Sequence, residues 1–226
     1  PLPFTPFKDF TGRSINEINL YSTEMSSALC SIDRVSASAN MNNRLSEAIV
    51  EAYKSTNGAP ISFELMLKCY QSRMKDANND DSISSVLKQL VNAHIFESED
   101  KVSLIDDSYI IKMDGYPKDG PIAKAIVYFL MSKLNNIYEL LDKQAVNDEV
   151  VQIRHFSIID EAHYMLDFDN RPLRNLIAVG RNKGLRIILA TQNMSSFKSK
   201  GFDFYANAQY PLIMKQQTID DKVIKD

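Results

Sequence analysis

At 226 residues and a net charge of −3, the chain is long enough for one large domain or two small ones, and no global basic field marks it as a nucleic-acid binder. Its 44% hydrophobic and 24% charged residues are those of an ordinary globular protein, which excludes a disordered or fibrous class. The two cysteines, Cys30 and Cys69, lie far apart with no CxxC spacing and no Cys/His cluster, which excludes a disulfide scaffold or a zinc ribbon. They read as buried structural thiols of a reducing, cytoplasmic compartment. The longest apolar run, AIVYFLM, is far too short to cross a bilayer, which needs about 20 residues, so no membrane partner is expected. The opening, PLPFTPFKDF, has neither the order of a signal peptide nor an initiator methionine, and is expected to be a processed or partial start.

The first half reads as helices. RLSEAIVEAYKS puts Leu45, Ala48, Ile49, Ala52 and Tyr53 on one face, and Gly58 and Pro60 stop it. SFELMLKCYQSRM follows, capped by Ser62, with Phe63, Met66, Leu67, Tyr70 and Met74 on one face. SISSVLKQLVNAHIF makes a third helix through Ile83, Val86, Leu87, Leu90 and Val91, with Ser82 as its cap. Short amphipathic segments cannot bury a face alone, so residues 15–100 form an all-α subdomain, preceded by an N-terminal segment at 1–14.

From residue 101 the texture changes. VSLIDDSYIIKMD reads as two short strands around an acidic turn, and GPIAKAIVYFLMSKLNNIYELLDK as a long helix opened by Pro121. Ile122, Ile126, Phe129, Leu130, Leu134, Ile137 and Leu141 form the expected stripe of that helix. IRHFSIID is then a strand, PLRNLIAVGRNK a short helix ended by Gly184, LRIILAT a strand, and YPLIMKQ a third. Strand, helix, strand predicts an α/β fold with a parallel sheet, and FSII and RIILA are continuous apolar runs expected to be buried on both faces.

A right-handed crossover brings the C-terminal ends of the two strands to one sheet edge, where open α/β sheets bind ligands. That edge receives Asp160 and Glu161 from one strand, and Thr191 and Gln192 from the other. One carboxylate there can order a hydrated Mg²⁺, and a second can orient or deprotonate a water attacking a γ-phosphate. A neutral amide alongside can both donate and accept, which suits Gln192 to sensing. The bland reading is an acidic strand end that caps the following helix.

FSIIDEAHYML joined to GRNKGLRIILATQNMSSF resembles the Walker B region and following strand of the HerA/FtsK superfamily of hexameric DNA-pumping ATPases. The resemblance covers residues 102–226 well and the helical part loosely. It implies a RecA-like (P-loop NTPase) parallel sheet, of which residues 101–226 are the C-terminal part, with the helical subdomain inserted before Walker B. It implies ATP and Mg²⁺ as cofactors, Asp160 as the metal-associated aspartate, Glu161 as the catalytic base and Gln192 as the sensor. Thr191 and His163 would lie beside the nucleotide, although packing explains His163 as well. Arg181, in Gly-Arg-x-x-Gly, would share the sheet edge with Gln192 and act on a neighbouring subunit's nucleotide; its alternative is a cation at a helix C-terminus. Softer likeness over longer stretches points to the ATPases of phosphorothioation-dependent DNA restriction, which implies DNA, subunits of a restriction or DNA-processing complex, and further copies in a homo-hexamer as partners.

The departure is the phosphate loop: no GxxxxGK[ST] occurs, and the chain has seven glycines. The expectation is a C-terminal part of a longer motor, inactive alone. Arg171 to Lys200 contains no Asp or Glu, and within this basic band Lys198 and Lys200 are the candidate DNA contacts, through phosphates. His94 reads as a packing residue, His155 opens the Walker B strand with no second ligand at metal spacing for zinc, and Phe63, Tyr128, Phe129 and Tyr138 read as core. Two other readings stay open: a fragment of a two-lobed DEAH-type helicase, and a non-enzymatic module whose helical subdomain docks a restriction partner.

Overall fold

Polar caps open the N-terminal helices where the sequence marks them. The computed structural model describes residues 1–32, 37–75, 80–118, 120–147, 150–192, 197–199, 202–204, 206–208 and 210–212. Helix α2 (Ala39–Ser55) starts at Ser38, whose hydroxyl accepts from the Met41 amide, and α3 (Phe63–Gln71) at Ser62, which accepts from Leu65 at 3.2 Å. α4 (Ser82–Ala93) is capped by Asp81 rather than Ser82: its carboxylate accepts from the Ser84 amide while the Ser84 hydroxyl accepts from Asp81 N. α1 (Ile15–Ile32) was not distinguished by its apolar spacing, because serines 22 and 26 occupy two of its buried positions.

The expected face of α2 is the observed one: Leu45, Ala48, Ile49, Ala52 and Tyr53 are buried. Phe63, Met66 and Tyr70 of α3, and Ile83, Val86, Leu87 and Leu90 of α4, join them in one core with Phe7 and Phe10. Leu67, Met74 and Val91 pack only partly against it. Gly58 ends α2 at φ +88°, where a Cβ would stand 2.6 Å from the Phe10 carbonyl oxygen.

α5 (Pro121–Leu140) joins two cores. Ala125, Ile126, Tyr128 and Phe129 face the helical cluster, while Val127, Met131, Leu134 and Tyr138 face a second cluster built with Leu173, Leu176 and Leu185. A helix between two cores is buried almost all round, so the single stripe expected for it is too narrow. Ile126, Phe129 and Leu134 are buried, but Ile122, Leu130, Ile137 and Leu141 are half-buried.

The C-terminal part holds three two-stranded sheets among the described residues. β1 (Val146–Asn147) and β2 (Val150–Val151) are antiparallel; β3 (His155–Ile159) and β4 (Leu185–Leu189) are parallel, joined through α6 (Arg171–Val179); β5 (Lys198–Ser199) and β6 (Phe202–Asp203) are antiparallel. Two expectations fail here, and a third lies largely outside the described residues. Residues 102–114 form turns and irregular chain rather than strands, with Ile110 89% exposed; no described strand lies alongside to complete a ladder. Within YPLIMKQ, residues 210–212 are outside any strand and the rest lies outside the described residues.

The second failure concerns the β3–β4 pair, which the described residues cover on one face only. His155, Ser157 and Ile159 pair in register with Leu185, Ile187 and Leu189 on the face toward the second core. On the other face Phe156, Ile158 and Ile188 are 53%, 69% and 46% exposed. The apolar runs are therefore a poor guide to two-sided burial in this chain.

Candidate functional site

The parallel register His155↔Leu185 through Ile159↔Leu189 puts the ends of β3 and β4 level. Two backbone bonds fasten those ends: Ala190 N donates to the Ile159 carbonyl at 2.9 Å, and Ala162 N donates to the Ala190 carbonyl at 2.8 Å. Between them the chain reverses through Glu161, whose left-handed backbone (φ 51°, ψ 41°) is uncommon for a residue with a side chain. The turn continues as one 3-10 turn, Ala162–Tyr164, with Ala162 fully buried. Backbone held in such a conformation by its surroundings clusters at functional sites.

The side chains converge on Glu161. Its Oε1 accepts from Gln192 Nε2 at 2.9 Å. Its Oε2 lies 3.4 Å from His163 Nδ1 and is buried without a hydrogen-bond partner among the described residues. The same His163 nitrogen is 3.3 Å from Thr191 Oγ1. Asp160 stays exposed, one carboxylate oxygen accepting from the Glu161 amide at 2.9 Å. Five residues from two strand ends, Asp160, Glu161, His163, Thr191 and Gln192, thus form one cluster that can take and return a proton and bind a polar group.

Arg181 is not among them. It sits in the short 3-10 turn Gly180–Lys183 that precedes β4, at the opposite end of that strand from Gln192. Five residues at about 3.3 Å each separate the two ends, so the shared sheet edge expected for Arg181 and Gln192 is corrected. Parallel strands put the entry to a strand and its exit on different edges. The two glycines of that motif have local reasons. A Cβ on Gly180 would meet Leu185 at 2.8 Å, and Gly184 has φ +85° with the Gln152 carbonyl 2.8 Å from where its Cβ would be.

The basic band is partly spent inside the fold. Lys183 donates to the Tyr138 and Glu139 carbonyls at 2.6 and 3.0 Å, closing the C-terminal end of α5. Arg174 pairs with Asp169, and Arg186 donates to the carbonyls of Arg181 and Leu185. Lys198 opens β5, but its side chain and all of Lys200 lie outside the described residues. His94 is exposed and ends α4 in a left-handed conformation. His155 bonds Ser157 Oγ at 3.0 Å, and burial lowers its pKa.

Sequence reasoning missed three residues on or against the segment that follows the 3-10 turn. Lys124 of α5 is 2% exposed and pairs with Asp167 at 2.9 Å. Phe168 is buried in the helical core, and Asn170 caps α6 by accepting from Leu173 at 3.1 Å. The pair Asn170 and Pro172, a cap residue and a proline in the first turn, was the available signal for the last of these.

No protein-family model matches this sequence, and no curated protein matches it. Among solved structures, VirB4 of Thermoanaerobacter pseudethanolicus superposes with a TM-score of 0.58 at 16% identity, over 90% of this chain and 57% of that one. The chain resembles VirB4 in fold. At that identity the likeness is one of architecture, and this chain spans 57% of the VirB4 chain's length. Among the described residues no group of three or more His, Cys, Asp or Glu is gathered to hold a metal. A hydrated Mg²⁺ takes only one or two protein carboxylates, and the exposed carboxylate of Asp160 has the chemistry to be one of them. No described helix is long and apolar enough to cross a membrane.

Proposed function

We propose that this chain is the water-activating part of an ATP-hydrolysing DNA motor of the HerA/FtsK kind. The observation that carries the reading is the 2.9 Å bond from Gln192 to Glu161 across the ends of two parallel strands, in a fold like that of VirB4. Glu161 is the base that takes the proton of the attacking water, and Gln192 orients Glu161 and senses the γ-phosphate. Asp160 holds the hydrated Mg²⁺, and Thr191 and His163 flank the nucleotide. Bound MgATP supplies the phosphoryl group and the charge on which these side chains act. Arg181, remote from the cluster in its own chain, serves a neighbouring copy in a homo-hexamer. Lys198 and Lys200 contact DNA phosphates.

This sequence contains no GxxxxGK[ST], so the phosphates are held by residues outside it. The motor works in the cytoplasm with a restriction or DNA-processing complex, in the manner of the phosphorothioation-dependent restriction ATPase DptH. The test is ATP turnover. The purified 226-residue chain gives none, and the motor assembled with its phosphate loop turns over ATP and loses that activity with Glu161→Gln. Turnover by the chain alone that Glu161→Gln abolishes would refute the division of labour. Undiminished turnover of the assembled Glu161→Gln motor would refute the role of Glu161.

A further inference from the structure

The segment that follows the 3-10 turn, residues 165–170, belongs to two cores at once. Met165 and Leu166 are buried in the cluster beneath the sheet, with Ala162. Two residues on, Phe168 is buried in the helical cluster, among residues otherwise drawn from the N-terminal part and α5. Side-chain and backbone bonds fasten the same segment on three sides. Lys124 Nζ of α5 donates to Asp167 at 2.9 Å, the Asp169 amide donates to Ser31 Oγ at the end of α1 at 3.0 Å, and Arg174 of α6 pairs with the Asp169 carboxylate. Glu161 begins the turn that leads into this segment: its amide donates to Asp160 Oδ1 at 2.9 Å, its carbonyl accepts from Tyr164 N at 3.1 Å, and the bonds at Ala162 and Ala190 tie the strand ends beside it.

A buried lysine is uncommon and needs a partner. Lys124 contributes nothing to the Glu161 cluster directly, and Asp167, its partner, is half open to solvent. Its position is explained if it fixes the segment rather than a ligand. Packed side chains and rigid elements transmit displacement because cores are densely filled.

We propose that Phe168 and Lys124 are positioning residues for Glu161: they fix the Asp167–Asn170 segment to the helical subdomain, and through the 3-10 turn they set the Glu161 carboxylate against Gln192. The helical subdomain is then the input side of the catalytic corner, and a partner that shifts the end of α1 shifts Glu161. This rests on the reading of Glu161 as the base, but its test does not use turnover, so the two can fail separately.

The readout is the side-chain amide cross-peak of Gln192 in an ¹⁵N spectrum of the 226-residue chain, identified by its loss in Gln192→Ala. Its position without the bond is calibrated by Glu161→Ala. Phe168→Ala and Lys124→Met move the peak most of the way to the Glu161→Ala position, and Phe168→Leu, which refills the core, leaves it near wild type. A Gln192 peak unmoved in folded Phe168→Ala overturns the proposal. If Phe168→Ala does not fold, the near-isosteric Lys124→Met decides: an unmoved peak there overturns it, and a moved peak supports it. A peak that moves equally in Phe168→Leu and Phe168→Ala also overturns it, because refilling the core should restore the position.

Discussion

Gln192 donates to Glu161 across 31 residues of sequence, from the end of one parallel strand to the turn after its neighbour. A base held by a neutral amide keeps its carboxylate oriented without lending it a charge. On the proposed reading of Glu161 as the base, Gln192→Ala and Glu161→Gln are each expected to lower ATP turnover of the motor assembled with its phosphate loop by about 100-fold or more, as loss of a general base or its orienting partner does. Nucleotide binding should be retained, so a steady-state assay beside a binding titration checks both halves.

Gly184 makes the left-handed turn into β4. An alanine there takes a left-handed backbone, which costs about 1–2 kcal/mol, and drives a methyl into the Gln152 carbonyl at 2.8 Å. Urea unfolding of Gly184→Ala should show at least that loss, because both contacts are backbone and cannot swing aside.

Phe129 stands at the centre of an aromatic group, with rings of Phe7, Phe63, Phe96 and Tyr128 within 5.1–5.7 Å of its own. It is fully buried on the helix that joins the two cores. Phe129→Ala should destabilise the chain by about 3–5 kcal/mol, measurable as a lower midpoint in denaturant.

The open face of β3–β4 predicts the opposite. Ile158 is 69% exposed, so Ile158→Thr should change stability by no more than about 0.5 kcal/mol. A loss of several kcal/mol in the same unfolding experiment would mean that the face is covered in solution.

His155 supplies a pH dependence. Burial holds its folded pKa below the ordinary value of 6.5, so the unfolded chain binds a proton more readily. The resulting stability is present above 6.5 and is lost as pH falls from there through the folded pKa. His155→Gln, which does not titrate, should flatten that part of the melting-temperature profile relative to wild type.

Local patterns were legible wherever one neighbour decided them. The buried face of α2, the Ser62 cap, the Pro121 start and the parallel β3–α6–β4 unit all follow from periodicity, capping chemistry and crossover handedness. The meeting of Asp160, Glu161, Thr191 and Gln192 was legible for the same reason, since strand direction alone fixes which ends lie together. Arg181 was misplaced because its motif was read as one unit with the strand that follows, although a strand separates its two ends by its own length.

Burial was the harder quantity. The apolar runs Phe156–Ile159 and Arg186–Ala190 state that the strands can be covered on two faces, not that they are, and here one face stays open. The residues 102–114 carry strand-forming side chains, but a strand exists only where another offers its edge. Lys124 gives no local sign of its fate: a lysine at the start of a helix is ordinarily solvated, and only the approach of Asp167 from 43 positions away makes its burial tolerable. By itself the sequence determined helices α2 to α5, the parallel β3–α6–β4 unit, and which strand ends carry acid and amide. Tertiary packing alone decided that α5 lies between two cores, that Phe168 sits in the helical core while Met165 and Leu166 sit in the other, and that Lys124 is buried against Asp167, because each of these depends on contacts between residues far apart in the chain.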